Sequence, residues 1–156
     1  MRRRTLLLGA LVAVLGSVGT LAGGCTSSKP LNAMVRIGPA PAPVTFRVEV
    51  AQTADQQRDG LSGRDELSAG SGMFFRFGHR AEQQVWMAGM SYPLDVAWIV
   101  DGKVLAVDTL TPCTETDQNR CPRWTSPSAA DAVLEVPKRS LATVVAGMPV
   151  TIEEQP

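Results

Sequence analysis

Leu94-Asp95-Val96-Ala97-Trp98-Ile99-Val100, then Asp101-Gly102, then Lys103-Val104-Leu105-Ala106-Val107-Asp108-Thr109-Leu110 is the most structurally explicit part of the chain. Two runs rich in β-branched and aromatic residues flank an Asp-Gly pair. A two-residue hairpin turn needs positive φ at both central positions, and Asp-Gly adopts it readily. The spacing predicts a β-hairpin over 94–110. The first run is apolar on both parities except at Asp95. Asp95 shares one face with Ala97 and Ile99, while Leu94, Val96, Trp98 and Val100 share the other. If both faces are covered, Asp95 is buried and needs a partner.

On either side of the hairpin the chain keeps to short β-rich segments. Val85-Trp86-Met87 is a brief apolar piece, and Gly78 to Gln84 reads as a polar loop. Met73-Phe74-Phe75-Arg76-Phe77 is a strand candidate after the loop Ser68-Ala69-Gly70-Ser71-Gly72. Thr53-Ala54-Asp55-Gln56 has the form of a capping box and predicts a short helix ending at Gly60. Val44, Phe46, Val48 and Val50 alternate with Thr45, Arg47, Glu49 and Ala51, a period of two that predicts a strand. After the hairpin, Ala132 to Val136 is a strand closed by Pro137. Lys138 to Ala146 places Leu141, Val144 and Val145 on one helical face, and Met148 to Glu153 is a last strand. About six or seven strands with one or two short helices indicate a single, mainly β domain of the sandwich or barrel type, with an α+β label possible.

The N-terminus gives an address. Met1-Arg2-Arg3-Arg4 precedes an apolar run from Leu6 to Leu21, and Leu21-Ala22-Gly23-Gly24 precedes Cys25. This is the pattern of a secretory signal peptide, residues 1–24, ending in a lipobox. The apolar run of about sixteen residues, with three glycines, is short for a transmembrane span. The expected mature chain starts at a lipid-modified Cys25, is held on a membrane and lies outside the cytoplasm. Ala22 stands where a lipobox usually has Leu. Arg3-Arg4-Thr5-Leu6-Leu7 also resembles a twin-arginine signal, so the export route stays open. Residues 25–43 read as a stalk, polar at 26–30 and Pro-rich at Gly38-Pro39-Ala40-Pro41-Ala42-Pro43. The apolar patch Leu31–Ile37 inside it either packs on the domain or lies near the membrane. The domain proper is placed at 44–156.

Removing the signal takes Lys plus Arg from 15 to 12 against 15 Asp plus Glu, a balance of −3. No basic stripe remains, which argues against nucleic acid as a partner. Cys113 and Cys121 form an even pair in one polar loop, most simply a disulfide in an oxidising compartment. Closing that loop is worth about 2.6 kcal/mol in the chain-entropy view. A thiol redox motif wants C-x-x-C, and a zinc site wants four ligands, where the chain has these two cysteines and the single His79. Neither a metal nor a cofactor is expected.

Arg58-Asp59-Gly60-Leu61-Ser62-Gly63-Arg64, Gly72-Met73-Phe74-Phe75, Trp86-Met87 and Pro93-Leu94-Asp95-Val96-Ala97 form an ordered series. It resembles the domain of unknown function 192 family, also called uncharacterised protein family 0127. That family reads roughly R-G-L-M-x-R, G-M-L-F-x-F, F-W-M-K-N-T and P-L-D-I-A-F. Ser126-Pro127 and Val133-Leu134-Glu135-Val136 resemble its C-terminal part, so the likeness spans about residues 46–152. It implies a small β-rich domain, often secreted or lipid-anchored, often with a cysteine pair like Cys113 and Cys121, and no established reaction. The family's Lys-Asn-Thr after Trp-Met is Ala88-Gly89-Met90 here. That change either removes a binding group or leaves a turn that Gly89 can also shape.

Within these motifs Asp95 is the most telling charge, and Arg64 or Arg58 is its expected ion-pair partner. Trp86, Met87, Met90 and Tyr92 crowd the start of its strand. The expected binding residues are Arg64, Trp86, Met90, Tyr92 and Asp95, with Met90 and Tyr92 the more exposed. Asp95 with Glu135 would suit a two-carboxylate hydrolase if their separation allowed. A solvent-facing Glu135 is the plainer expectation. His79 lies in a polar segment, and no G-x-S-x-G elbow or phosphate-binding glycine loop accompanies it. The sequence points to an extracytoplasmic lipoprotein whose domain binds an envelope ligand or protein. A cell-envelope hydrolase and a purely structural envelope protein are the alternatives.

Overall fold

The computed structural model describes residues 31–155. The expected signal peptide, Cys25 and the polar part of the expected stalk lie outside the described residues. Nine strands and one α-helix occur among them: β1 Leu31–Ile37, β2 Val44–Ala51, α1 Ala54–Asp59, β3 Ser71–Ala81, β4 Gln84–Trp86, β5 Leu94–Val100, β6 Lys103–Leu110, β7 Arg123–Thr125, β8 Ala130–Pro137 and β9 Val150–Glu154. A 3-10 turn spans Gln118–Arg120. Among the described residues no helix is long and apolar enough to cross a membrane.

Seven strands form one sheet in the order β6-β5-β8-β3-β2-β1-β9, and β4 pairs with β7 in a separate ribbon. The sheet curls. The start of β6 meets the segment before β9, where the Val104 N–H donates to Met148 O and the Val150 N–H donates to Gly102 O. This closes a half-barrel around Val35, Phe46, Val48, Phe74, Ile99, Leu134, Val136 and Leu141. The outer face carries a second apolar set, including Leu61, Met73, Phe75, Met87, Trp98 and Val133. A sheet covered on both faces explains strands that are apolar on both parities.

Local chemistry builds the predicted elements. Asp101 and Gly102 have φ of 50° and 64°, as the Asp-Gly hairpin requires. Thr53 accepts from the Gln56 N–H, the Gln56 side chain accepts from the Thr53 N–H, and Gly60 ends α1. Between β5 and β6 the register shifts at Trp98/Ile99, a bulge that adds twist to the curl.

Three expectations are corrected. The patch Leu31–Ile37 is not stalk but β1, hydrogen-bonded to β2 and β9. Ala33, Val35 and Ile37 are buried inside the half-barrel, so the folded domain includes residue 31 rather than starting at Val44. The helix expected over 138–146 is absent. Arg139 has φ of 72°, outside the helical region, and three separate i to i+3 turns follow Pro137. Leu141 and Val144 still point inward, while Val145 is exposed. The loop expected over 78–84 is mostly strand, because β3 runs on to Ala81 past an irregularity between Arg76 and Ala81.

Candidate functional site

One strand pair in the sheet is parallel, β2 with β3. Parallel neighbours cannot be joined by a tight turn, so the chain must cross a face of the sheet between them. The crossover carries α1 and Leu61 over the outer face. The β4–β7 ribbon covers another part of that face, held by the disulfide Cys113–Cys121 just before β7. Between crossover and ribbon lies a cleft of about 300 Å³. Leu61, Phe75, Val85, Met87, Met90 and Leu94 line its apolar walls, Trp86 and Arg123 its mouth, and Glu135 is part of its lining from β8.

Glu135 is the unexpected group. Its neighbours in the sheet are Met73 on β3 and Val96 on β5, both members of the outer apolar set. The residue is only 6% exposed. Among the described residues its carboxyl has no hydrogen bond and no cation. Burial alone pushes its pKa from 4.5 up to about 8. A charge in apolar surroundings loses its hydration without compensation, so the neutral acid is the favoured form. The expectation of a solvent-facing Glu135 is therefore corrected. The signal was present in the sequence: Ala132 to Val136 is apolar on both parities, the same argument that pointed to Asp95.

Asp95 is buried as expected, at 4% exposure, but with other partners. The Thr109 hydroxyl donates to Oδ1 at 2.8 Å and the Leu141 N–H donates to Oδ2 at 3.0 Å. Neither arginine reaches it. Arg64 pairs with Glu49 at 2.9 Å, and Arg58 with Asp55 at 2.9 Å and Asp59 at 3.5 Å, all at the surface. Asp95 ties the turns after β8 to the β5–β6 pair. The hydrolase pairing also fails. Asp95 stands opposite Val136 and Glu135 opposite Val96, so the carboxyls project to opposite faces of one sheet. The two-carboxylate mechanism needs both groups on one bond.

Of the expected binding residues, Trp86 and Met90 line the cleft, whereas Arg64, Tyr92 and Asp95 are not part of its lining. Met90 and Tyr92 are buried rather than exposed. The Tyr92 hydroxyl has no hydrogen-bond partner among the described residues, and burial, followed by the nearby Glu135 charge, raises its pKa. His79 is exposed on β3, and among the described residues no three His, Cys, Asp or Glu side chains gather to hold a metal. Arg123 was not expected. Its guanidinium lies over the Trp86 ring at 4.2 Å from the centroid, a cation–π contact set by the Trp86–Arg123 register of β4 and β7. Gly89 shapes the turn between β4 and β5. Its φ is 72°, and a Cβ there would collide with the Ser62 hydroxyl, which donates to Ala88 O at 3.0 Å. The Gly63 N–H donates to Gly89 O, so this turn pins the crossover to the ribbon across the cleft.

The sequence profile of the DUF192 family, described as uncharacterised ACR, matches residues 35–152. The match begins inside β1, in keeping with a domain that includes this strand. No curated protein matches the chain. Among solved structures, a candidate transcription regulator from Sinorhizobium meliloti 1021 aligns with TM-score 0.70 and 24% identity, covering 81% of this chain and 96% of that one. A protein of unknown function from Novosphingobium aromaticivorans DSM 12444 aligns with TM-score 0.69 and 24% identity, covering 92% of this chain and 99% of that one. At such identity the likeness speaks to the fold alone.

Proposed function

The chain belongs to the DUF192 family, and on that footing we propose that it is an extracytoplasmic lipoprotein whose domain is a membrane-tethered binding module, with the cleft over Glu135 as its ligand site. The observation that carries this reading is Glu135 itself, a buried acid that lines an apolar cleft and has no partner among the described residues. A polar group buried in that way is costly to the fold, and a ligand that bonds to it removes the cost. The Arg2–Arg4 cluster, the apolar run and Cys25 support the tether, and the Cys113–Cys121 disulfide suits an oxidising compartment.

Two measurements test it. Radiolabelled palmitate should enter the wild-type chain and sediment with membranes, and Cys25→Ala should lose both. A Cys25→Ala chain that keeps its label would end the lipoprotein reading. For the cleft, toluene, a neutral one-ring apolar probe, should bind the folded domain one-to-one. Gln84→Trp, at the exposed rim, should weaken it about tenfold by filling the mouth. Binding that ignores this substitution would place the site elsewhere.

A further inference from the structure

Resting on the cleft as the ligand site, we infer that its ligand is a small apolar molecule carrying an uncharged hydrogen-bond acceptor, received by the carboxylic acid of Glu135. A neutral carboxylic acid has one O–H to donate. In this cleft no protein acceptor takes it among the described residues, so the ligand must supply the acceptor. A carbonyl, ether or hydroxyl oxygen meets that need without bringing a charge against Leu61, Phe75, Met87 and Leu94.

The other charged, amide and hydroxyl side chains of the cleft are engaged, Gln84 by donating to Thr125 Oγ1 at 3.4 Å. The Gln57 amide donates to Arg76 O at 2.8 Å and Ala51 O at 3.5 Å. The Ser62 hydroxyl donates to Ala88 O. Arg58 is compensated by Asp55 and Asp59, and Arg123 lies over the Trp86 ring at the mouth. No fixed charge is therefore directed at the interior. An ammonium ligand would need Glu135 to give up its proton, and a carboxylate ligand would be attracted to Arg123 at the mouth and not into the interior. The volume, about 300 Å³, sits at the low end for small-molecule sites and fits a body of about one ring. The aromatic and thioether walls suit a planar one.

Three probes of one shape separate the possibilities: acetophenone, benzoate and benzylamine, titrated into the full mature chain at neutral pH. The methyl resonances of Met87 and Met90 and the indole of Trp86 report occupancy. Acetophenone should bind at least about tenfold more tightly than either ion, since benzoate is desolvated here without a partner and benzylamine gains one only if Glu135 ionises in apolar surroundings. Glu135→Gln keeps an N–H donor and should hold acetophenone within about threefold, whereas Glu135→Leu should lose about tenfold. The dispersed methyl spectrum of the half-barrel checks that each variant is folded. Benzylamine or benzoate as the tightest probe would overturn the acceptor class and leave the cleft as a binding site. Acetophenone binding unchanged in a folded Glu135→Leu chain would also overturn it. If none of the three moves the cleft resonances, the binding-module reading falls with it.

Discussion

Glu135 holds its proton because water is excluded from around it, and this has a thermodynamic consequence. An unfolded glutamate ionises near 4.5, while the folded one does so at about 8. Between those values the folded chain keeps a proton that the unfolded chain has lost. Stability from this group is therefore full below the lower value, falls as pH rises, and levels off above the higher one. The steepest slope is about 1.4 kcal/mol per pH unit. Tyr92, the other titrating group that senses Glu135, ionises above this window because its pKa is also raised. Urea unfolding at about pH 5 and pH 7.5 should show the wild type losing about 2–3 kcal/mol more than Glu135→Gln across that interval. Equal slopes would mean that Glu135 is hydrated. Asp95 makes a different prediction. Asparagine can turn its oxygen to the Leu141 N–H and its amide N–H to the Thr109 hydroxyl, which then accepts instead of donating, so both bonds lose the charge of the carboxylate. Asp95→Asn should cost about 1–3 kcal/mol in chemical denaturation. The burial of Asp95 was legible from parity in the sequence. Its partners were not, because a backbone N–H from a turn 46 residues away carries no side-chain signature.

At the scale of elements, the hairpin and α1 were legible because each is written in local chemistry, Asp-Gly in one and a Thr–Gln box in the other. The segment 138–146 was misread for the same reason. Apolar spacing at 141, 144 and 145 imitates a helix, but the Leu141 N–H is drawn to Asp95 and Arg139 sits in the left-handed region. The β4–β7 ribbon was invisible as a pair, since two strands of three residues set 36 apart make no pattern that a short window can see. The disulfide anchors this ribbon, with its cysteines 8 positions apart in sequence. Cys113→Ser with Cys121→Ser should lower stability by about 2–3 kcal/mol. The loss should concentrate in the ribbon, with amide exchange rising at Val85 and Trp124 before it rises in β3 or β8. Uniform exchange across both sheets would show that the bridge secures the whole fold and not one wall of the cleft.

For the whole molecule, the decisive strand is the one that resembled a stalk. β1 joins β2 to β9, so a chain cut at Val44 leaves β9 without a strand to pair with, held only by Val150 at Gly102, and opens the half-barrel. Val35 and Ile37 are each worth about 1.5–3 kcal/mol in burial. Their loss, with a full ladder of backbone bonds, is comparable to the total stability of about 5–15 kcal/mol expected of a domain. A fragment of residues 44–156 should show no cooperative unfolding transition, whereas 31–156 should show one. Proline and alanine between 38 and 43 gave a linker-like composition, and composition alone cannot distinguish a tether from a loop between two paired strands.

The neighbours of β1 also fix when the fold can be completed. Ala33 pairs with Glu154, and the Gln155 N–H donates to Asn32 O at 2.8 Å. A chain made from its N-terminus produces β1 before the other described strands and β9 after them. Until residue 150 and its followers appear, β1 can satisfy only one of its two edges. All of residues 38–149 must be emitted before that edge is sealed, and contacts this distant in sequence close slowly. During that interval the open edge is a strand-shaped adhesive for any neighbouring extended chain, so the half-finished molecule is the form most in need of an escort.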